Sequence, residues 1–235
     1  AESARALVAE LRGRGQRRTG RRTPDVEQRI RTGSWRDEAY EDAGTADHID
    51  PRTLSIAVDR LLPRERTVAV DSGHLVGWPP MYLRVPDAQG FVFTQALQAV
   101  GLGLASAIGA AVARPDRLTV AALGDGGALM GLSELETVAR LGLRMVILVY
   151  DDAAYGAEVH HFAAEGAEVD LVRFPDTDFA ALARAAGLDG ITVRSEADLT
   201  RLRDWLERPE RPAMLIDAKV VEGVVAQFLE DAFGH

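Results

Sequence analysis

The sequence has no cysteine, and this absence removes three kinds of function. Without a thiol there is no disulfide framework, no thiolate metal site and no cysteine nucleophile. The longest apolar stretch, around residues 100–112, is too short and too rich in Gly and Ser for a membrane span. The first residues also lack the apolar core and cleavage site of a signal peptide. We therefore expect a soluble, cytoplasmic protein.

Positive charge is scarce over most of the chain. The 235 residues include 27 Lys and Arg against 36 Asp and Glu, a net charge of −9, and only Lys219 is a lysine. Residues 1–36 are the exception, with ten arginines against four acids. No aromatic residue interleaves the arginines at 12–22, as single-strand binding would require, and duplex binding needs a positive surface. The composition therefore argues against a nucleic-acid partner.

The chain divides into a charged start and a longer apolar part. Residues 1–50 combine an amphipathic helix at 4–12 with Arg-, Gly- and Thr-rich sequence, which is typical of the tail of a preceding domain and a linker. From residue 51 to 235, helical segments alternate with apolar strands. This alternation predicts an α/β domain, with a parallel sheet covered by helices on both faces. The predicted strands are 67–70, 118–123, 145–150, 191–193 and 213–217, and the predicted helices are 53–62, 95–113, 131–141, 179–186, one opened by Ser195, and 224–232.

Two predicted strands end in acidic residues, where parallel sheets bind ligands. Asp125 lies in a Gly-Asp-Gly-Gly turn at 124–127, and Asp152 follows the next strand. Glycines let the backbone approach a phosphate, but a carboxylate beside a phosphate requires a cation between them. Two such carboxylates suit Mg²⁺, which prefers oxygen ligands. The alternative is a glycine turn with two solvated acids.

The other phosphate-binding patterns fail. A dinucleotide fingerprint needs a third glycine where Leu129 stands, and no Gly-Lys-Ser/Thr of a P-loop occurs.

Three segments, in this order, resemble the thiamine diphosphate signature of the acetolactate synthase/pyruvate decarboxylase superfamily. They are Asp71-x-Gly73 followed by Trp78, the small-residue segment at 94–110, and the Gly-Asp-Gly turn at 124–126 followed by Asp-Asp-Ala-Ala-Tyr-Gly at 151–156. The resemblance covers about residues 50–220. It implies a diphosphate-binding domain with thiamine diphosphate and Mg²⁺ as cofactors.

The resemblance also implies roles for individual residues. The metal ligands would be Asp125, Asp152 and the Ala154 carbonyl, with Asp152 standing where the family most often has Asn. Glu158 matches a proton-handling position and His161 a substrate-facing one, so both are candidate catalytic residues. Positions 157 and 161 lack the Met and Trp of acetolactate synthases, which argues against acetolactate synthesis itself. The implied cofactor-binding residues are Gly73, His74, Val100, Gly124, Asp125, Gly126, Gly127, Asp152, Ala154, Tyr155 and Gly156.

As a function, the resemblance implies a carboligase (transferase) or 2-oxo acid decarboxylase (lyase), whose enamine is protonated or passed to an acceptor. The family's chemistry also needs a carboxylate from a pyrimidine-binding domain, which residues 1–50 cannot form. We therefore expect one part of a longer or split enzyme, in a homodimer, homotetramer or hetero-oligomer. Two alternatives stay open: a catalytically silent cofactor-binding or regulatory subunit, and an unrelated doubly wound binding domain.

Overall fold

The computed structural model describes residues 2–16, 20–97 and 99–226, and the chain forms two compact units, Ala1–Glu38 and Ala39–His235. In the first unit, helices α1 (Glu2–Gly13) and α2 (Pro24–Thr32) bury none of their residues. The predicted amphipathic helix is thus confirmed as α1. Helix α2 has too few apolar residues to be predicted by periodicity. It begins where the Thr23 hydroxyl accepts a hydrogen bond from the Val26 N–H.

A six-stranded sheet organises the second unit. All strand pairs are parallel, and the order across the sheet is β2-β1-β3-β4-β6-β5. Every residue of β1, β4 and β6 is buried, as expected for strands covered on both faces. The predicted parallel α/β class is confirmed. The strands are β1 (Arg66–Val70), β2 (Phe91–Phe93), β3 (Leu118–Gly124), β4 (Met145–Asp151), β5 (Asp189–Val193) and β6 (Met214–Lys219).

Helices cover both faces of the sheet because successive strand residues point to opposite sides. Val120 and Val146 belong to the core on one face, with helices α3 (Pro51–Leu61), α4 (Trp78–Tyr82) and α10 (Thr200–Glu207). Ala121 and Ile147 belong to the other core, with α5 (Gly103–Ala113), α6 (Asp125–Met130), α7 (Glu134–Arg140) and α9 (Phe179–Ala185). Helix α8 (Gly156–Ala164) packs against the 3₁₀ turn at 74–77, beyond the end of β1.

The hydrophobic pattern of the sequence predicts some helix and strand boundaries wrongly. The predicted helix 95–113 begins only at Gly103, after a 3₁₀ turn at 94–97. Gly101 has a φ of 90°, and its N–H donates to the Asp71 carboxylate at 3.0 Å, which redirects the chain before the helix starts. Strand β2 was missed because it is three residues long. The capping box at Ser195 and Asp198 is confirmed, although it opens a 3₁₀ turn that leads into α10.

Two predicted regions need separate mention. In the predicted last helix, residues 224–226 are not helical and residues 227–232 lie outside the described residues. Residues 39–50, assigned by sequence to the linker, belong to the second unit. Ile49 pairs with Val220, and the buried Asp50 caps α3 by accepting the Arg52 N–H at 2.8 Å. The domain division at residue 50 stays a prediction.

No helix in the described ranges is both long and apolar enough to cross a membrane.

The close packing of α9 on β5 generates a stability prediction. A Cβ at Gly190 would lie 2.2 Å from the Ala180 carbonyl oxygen, so Gly190→Ala must push the helix away. We expect it to lower the free energy of unfolding by about 1–3 kcal/mol, measured by urea denaturation. A Cβ at Gly109 in α5 meets no atom within 4 Å, so the control Gly109→Ala should be stabilising, by about 0.5–1 kcal/mol. Equal effects of the two changes would contradict this packing.

Candidate functional site

The strand order creates a crevice between β1 and β3. The chain leaves β1 toward β2 on one side and leaves β3 toward β4 on the other, so their carboxyl ends flank a switch point. A cavity of about 510 Å³ lies there. It is lined by the turns that follow β1, β3 and β4, and by the segment that follows β6. Its volume lies within the usual range for small-molecule sites.

Every predicted site residue lines this one cavity. The sequence placed these residues in four separate segments, and the fold brings the segments together. Their placement agrees with the sequence analysis, while their individual roles stay predictions. They are Gly73, His74, Val100, Gly124, Asp125, Gly126, Gly127, Asp152, Ala154, Tyr155, Gly156, Glu158 and His161.

The turn after β4 brings the predicted metal ligands together. The Ala154 N–H donates to Asp125 Oδ2 at 2.9 Å and so ties the end of β4 to the end of β3. Ala153, between Asp152 and Ala154, has a φ of 56°, and its N–H donates to Asp151 Oδ1 at 3.0 Å. In the part of the chain that the structure describes, no backbone N–H donates to the Ala154 carbonyl. That oxygen remains available to a ligand.

Neighbouring side chains explain two of the glycines in the turn after β3. A Cβ at Gly126 would lie 2.3 Å from the Tyr155 ring, and one at Gly127 would lie 2.5 Å from Asp71 Oδ2. Neither has a positive φ. The sequence-based explanation, close approach of backbone to phosphate, is therefore incomplete, since the protein's own packing already demands glycine here. The same packing leaves the first turn of α6 lining the cavity.

Among the described residues, no salt bridge pairs Asp125 or Asp152 with a cation, and Arg173, whose charge acts on Asp152, pairs with Glu222. Burial first, and then repulsion by Asp152 and Asp151, raises the pKa of Asp125 to about 8. Burial and Asp151 raise the pKa of Asp152 to about 7. The nearby ammonium of Lys219 pairs with Asp151 instead. A bound cation would relieve this repulsion, because it favours both ionised forms.

The donor set is one of oxygens and fits Mg²⁺. Among the described residues, no three His, Cys, Asp or Glu side chains are grouped to hold a metal ion. The predicted ligands are fewer: the two carboxylates of Asp125 and Asp152 and one backbone carbonyl, that of Ala154. This suits Mg²⁺, which takes one or two carboxylates and completes its shell with phosphate and water.

Asp71 anchors the opposite wall of the cavity. Its buried carboxylate accepts N–H groups from Ser72 at 2.8 Å and from Gly101 at 3.0 Å. The N–H groups of Gly103 and Leu102, at the start of α5, also favour the ionised form of this carboxylate, whose pKa burial raises. These bonds place Val100 at the cavity wall. Sequence reasoning used Asp71 only as part of a pattern, although an acid directly after the apolar run at 68–70 is a signal of such an anchor.

The histidines occupy the wall formed by α8. The rings of His74 and His160 lie 4.3 Å apart, and His74 Nε2 donates to the Val224 carbonyl at 3.0 Å. Burial lowers the pKa of His74 to about 4, so its ring is neutral near pH 7. Glu158 is exposed and His161 is half-buried. Sequence reasoning missed several lining residues that no motif marks: Tyr150, Val220, Val221, Val224 and Val225.

Comparison with known proteins decides the family. The family model for the C-terminal TPP-binding domain of thiamine pyrophosphate enzymes matches residues 71–216, which is more than half of the chain. The chain belongs to the thiamine pyrophosphate enzyme family. Thiamine pyrophosphate, also called thiamine diphosphate, is the cofactor of this family, and Mg²⁺ is its usual metal.

Similar members of the thiamine pyrophosphate enzyme family are longer proteins. The acetolactate synthase large subunit of Parasynechococcus marenigrum is 33% identical over 181 residues, 74% of this chain and 28% of that protein. The benzoylformate decarboxylase of Pseudomonas aeruginosa is 29% identical over 184 residues, 77% of this chain and 33% of that protein. The chain thus spans about a third of the length of these relatives.

A solved structure supports the fold. The thiamine diphosphate-dependent 4-hydroxybenzoylformate decarboxylase of Rhodococcus jostii superposes with a TM-score of 0.68 at 24% identity. The match covers 78% of this chain and 35% of that one.

The raised pKa of Asp125 predicts how stability depends on pH in the metal-free protein. Between about pH 4 and pH 8 the folded state keeps a proton that the unfolded state has lost. Stability therefore falls with rising pH, by at most about 1.4 kcal/mol per pH unit for one group. We expect Asp125→Asn to reduce this slope between pH 5 and 8, measured by urea denaturation in a chelating buffer.

Asp204→Asn, at an exposed position of α10, is the matched control and should leave the slope unchanged. The same slope for the wild type and Asp125→Asn would contradict the assignment.

Proposed function

We propose that this chain binds thiamine diphosphate with Mg²⁺ and, together with a pyrimidine-binding domain, decarboxylates a 2-oxo acid. The product carbon is then protonated or joined to an acceptor. One observation carries the proposal: at the switch point of the sheet, the buried Asp125 carboxylate and the partly buried Asp152 carboxylate, whose pKa values are both raised, lie at the turn that carries the Ala154 carbonyl. These residues lie inside the segment that matches the cofactor-binding domain.

The chain's own groups suit each part of the cofactor. Asp125, Asp152 and the Ala154 carbonyl would hold Mg²⁺. The N–H groups of Gly126 and Gly127, in the first turn of α6, would face the diphosphate. When bound, thiamine diphosphate supplies a carbon nucleophile and an electron sink for cleavage beside a carbonyl. The protein's contribution is to bind it, orient it and neutralise its charge.

Residues on α8 and the segment after β6 would serve the substrate. Glu158 lines the cavity and is exposed, so it can exchange a proton with water and deliver it to the reacting carbon. His161 lies one turn further along α8 and lines the same cavity. Val221, Val224 and Val225 give this part of the wall an apolar surface that excludes water.

An exposed apolar rim supports a partner domain at the cavity. Leu97 and Met130 are 74% and 56% exposed, and the segments that carry them meet where Gly101 lies against Met130. Val100 belongs both to this rim and to the cavity wall. Exposed apolar side chains on neighbouring segments mark interaction sites. We propose that the pyrimidine-binding domain, supplied by the same chain or by another subunit of an oligomer, packs on this apolar rim. The rim residues are Phe93, Leu97, Val100, Leu102, Leu129 and Met130.

Calorimetric titration of the assembled protein with thiamine diphosphate and Mg²⁺ tests the proposal. The wild type should bind, and Asp125→Ala should bind at least about 100-fold more weakly, because a carboxylate ligand and the tie to Ala154 are both lost. The exposed change Asp204→Ala is the control. No binding by the wild type, or unchanged binding by Asp125→Ala, would overturn the proposal. Release of CO₂ from 2-oxo acids by the same assembly tests the reaction.

Asp152→Asn tests the second ligand. Asparagine keeps an oxygen for the metal and removes one of the two charges that, after burial, raise the pKa of Asp125. We therefore expect cofactor binding to be kept, within about tenfold of the wild type, and the metal-free protein to be more stable at pH 8. Calorimetry and urea denaturation measure the two effects. Complete loss of binding in this variant would show that the metal site is wrongly assigned.

A further inference from the structure

Lys219 is the only lysine among 27 basic residues, and it is buried. It is the last residue of β6 and lies opposite Asp151 in the register of β4. An ammonium is a compact charge with three donors on a flexible stem, whereas a guanidinium is a wide planar fork. The position of Lys219 therefore suits a lysine, although every other basic residue of the chain is an arginine.

The three donors of Lys219 are all used. Its Nζ donates to Asp151 Oδ2 at 2.5 Å, to Asp176 Oδ1 at 2.6 Å and to the Thr177 carbonyl at 2.7 Å. A third carboxylate, Asp217 Oδ1, lies 3.2 Å away. Lys219 is thus fixed in place from several directions.

Asp151 connects this lysine to the predicted metal ligands. One of its oxygens accepts from Lys219, and the other accepts the Ala153 N–H at 3.0 Å. Within the described ranges, Ala153 is the one non-glycine residue with a positive φ. Such a conformation is strained for a residue with a side chain and persists only where neighbouring groups hold it. Ala153 separates Asp152 from Ala154, so its conformation sets where both ligands point.

We propose that Lys219 is a positioning residue that, through Asp151, holds the 152–154 turn in the shape that presents Asp152 and the Ala154 carbonyl to Mg²⁺. This inference rests on the proposed function. It predicts that losing the ammonium weakens metal binding even though the ammonium never touches the metal.

Two simpler roles for Lys219 predict different results. If it were only a counter-ion for buried carboxylates, its loss would lower stability and leave the metal affinity of the folded protein unchanged. If Lys219 acted only by electrostatic repulsion of the metal ion, removing its positive charge would tighten Mg²⁺ binding, since like charges repel. Weaker Mg²⁺ binding is expected only from the positioning role.

The test compares Asp217→Asn with the double variant Lys219→Met/Asp217→Asn. Both variants lack the buried Asp217 carboxylate, which no hydrogen bond links to the turn. Relative to the wild type, the double variant loses one charge of each sign, so the net charge of this buried cluster is unchanged. We expect it to bind Mg²⁺ at least about tenfold more weakly than Asp217→Asn, in calorimetry on the assembled protein with saturating thiamine diphosphate.

Amide hydrogen exchange of the metal-free protein gives a second readout. Exchange at residues 152–156 should be faster in the double variant than in Asp217→Asn, while exchange in β3 stays the same. Should the double variant not fold, Asp151→Asn replaces it, because Lys219 and Ala153 donate to different oxygens of Asp151, and Asn keeps an oxygen at only one of these two positions. The same faster exchange is then expected.

The outcomes separate the two proposals. A wild type that binds no thiamine diphosphate with Mg²⁺ refutes the proposed function. A wild type that binds, with equal or tighter Mg²⁺ affinity in the double variant, refutes the role of Lys219 alone. Unchanged exchange at 152–156 refutes it as well.

Discussion

The hydrogen bond from the Ala154 N–H to the Asp125 carboxylate joins the ends of two neighbouring parallel strands. Parallel pairing brings the carboxyl ends of β3 and β4 to one edge, and this bond fixes the spacing of the turns that follow. Asp125 is thereby buried beside Asp152. The rest of the site follows from that arrangement, because a buried carboxylate beside a second, partly buried one is held as an anion near pH 7 when a cation lies between them.

The arrangement of this site lowers the free energy of unfolding of the protein without its ligands. Like charges near each other in a buried site favour unfolding. The close contacts at Gly126 and Gly127 also exclude any residue with a side chain from these two positions. Stability and function are in opposition here, as is common where a binding site is preorganised. Removing the site's charges should therefore stabilise the unliganded fold and weaken its ligand binding.

Much of the fold and site could be predicted from sequence because the signals are local. Apolar runs mark β3 and β4, and the acids after them mark the cavity. The parts that could not be predicted depend on contacts between distant residues. The start of α5 depends on the bond between Gly101 and Asp71, which are 30 residues apart. The turn at Ala153 depends on Asp151, which is held by Lys219, 68 residues further along the chain. Periodicity within a short window does not report such contacts.

The strand order also constrains how the sheet is assembled. Strand β6 follows β5 in the chain, yet it lies between β4 and β5. Strand β5 therefore has no neighbour to pair with until β6 enters the gap, and the exposed edge of β4 stays open for the same period. During synthesis, more than 200 residues must emerge before this half of the sheet closes. A chain interrupted between β5 and β6 would leave β5 unpaired and one edge of β4 open, and unpaired strand edges are templates for aggregation.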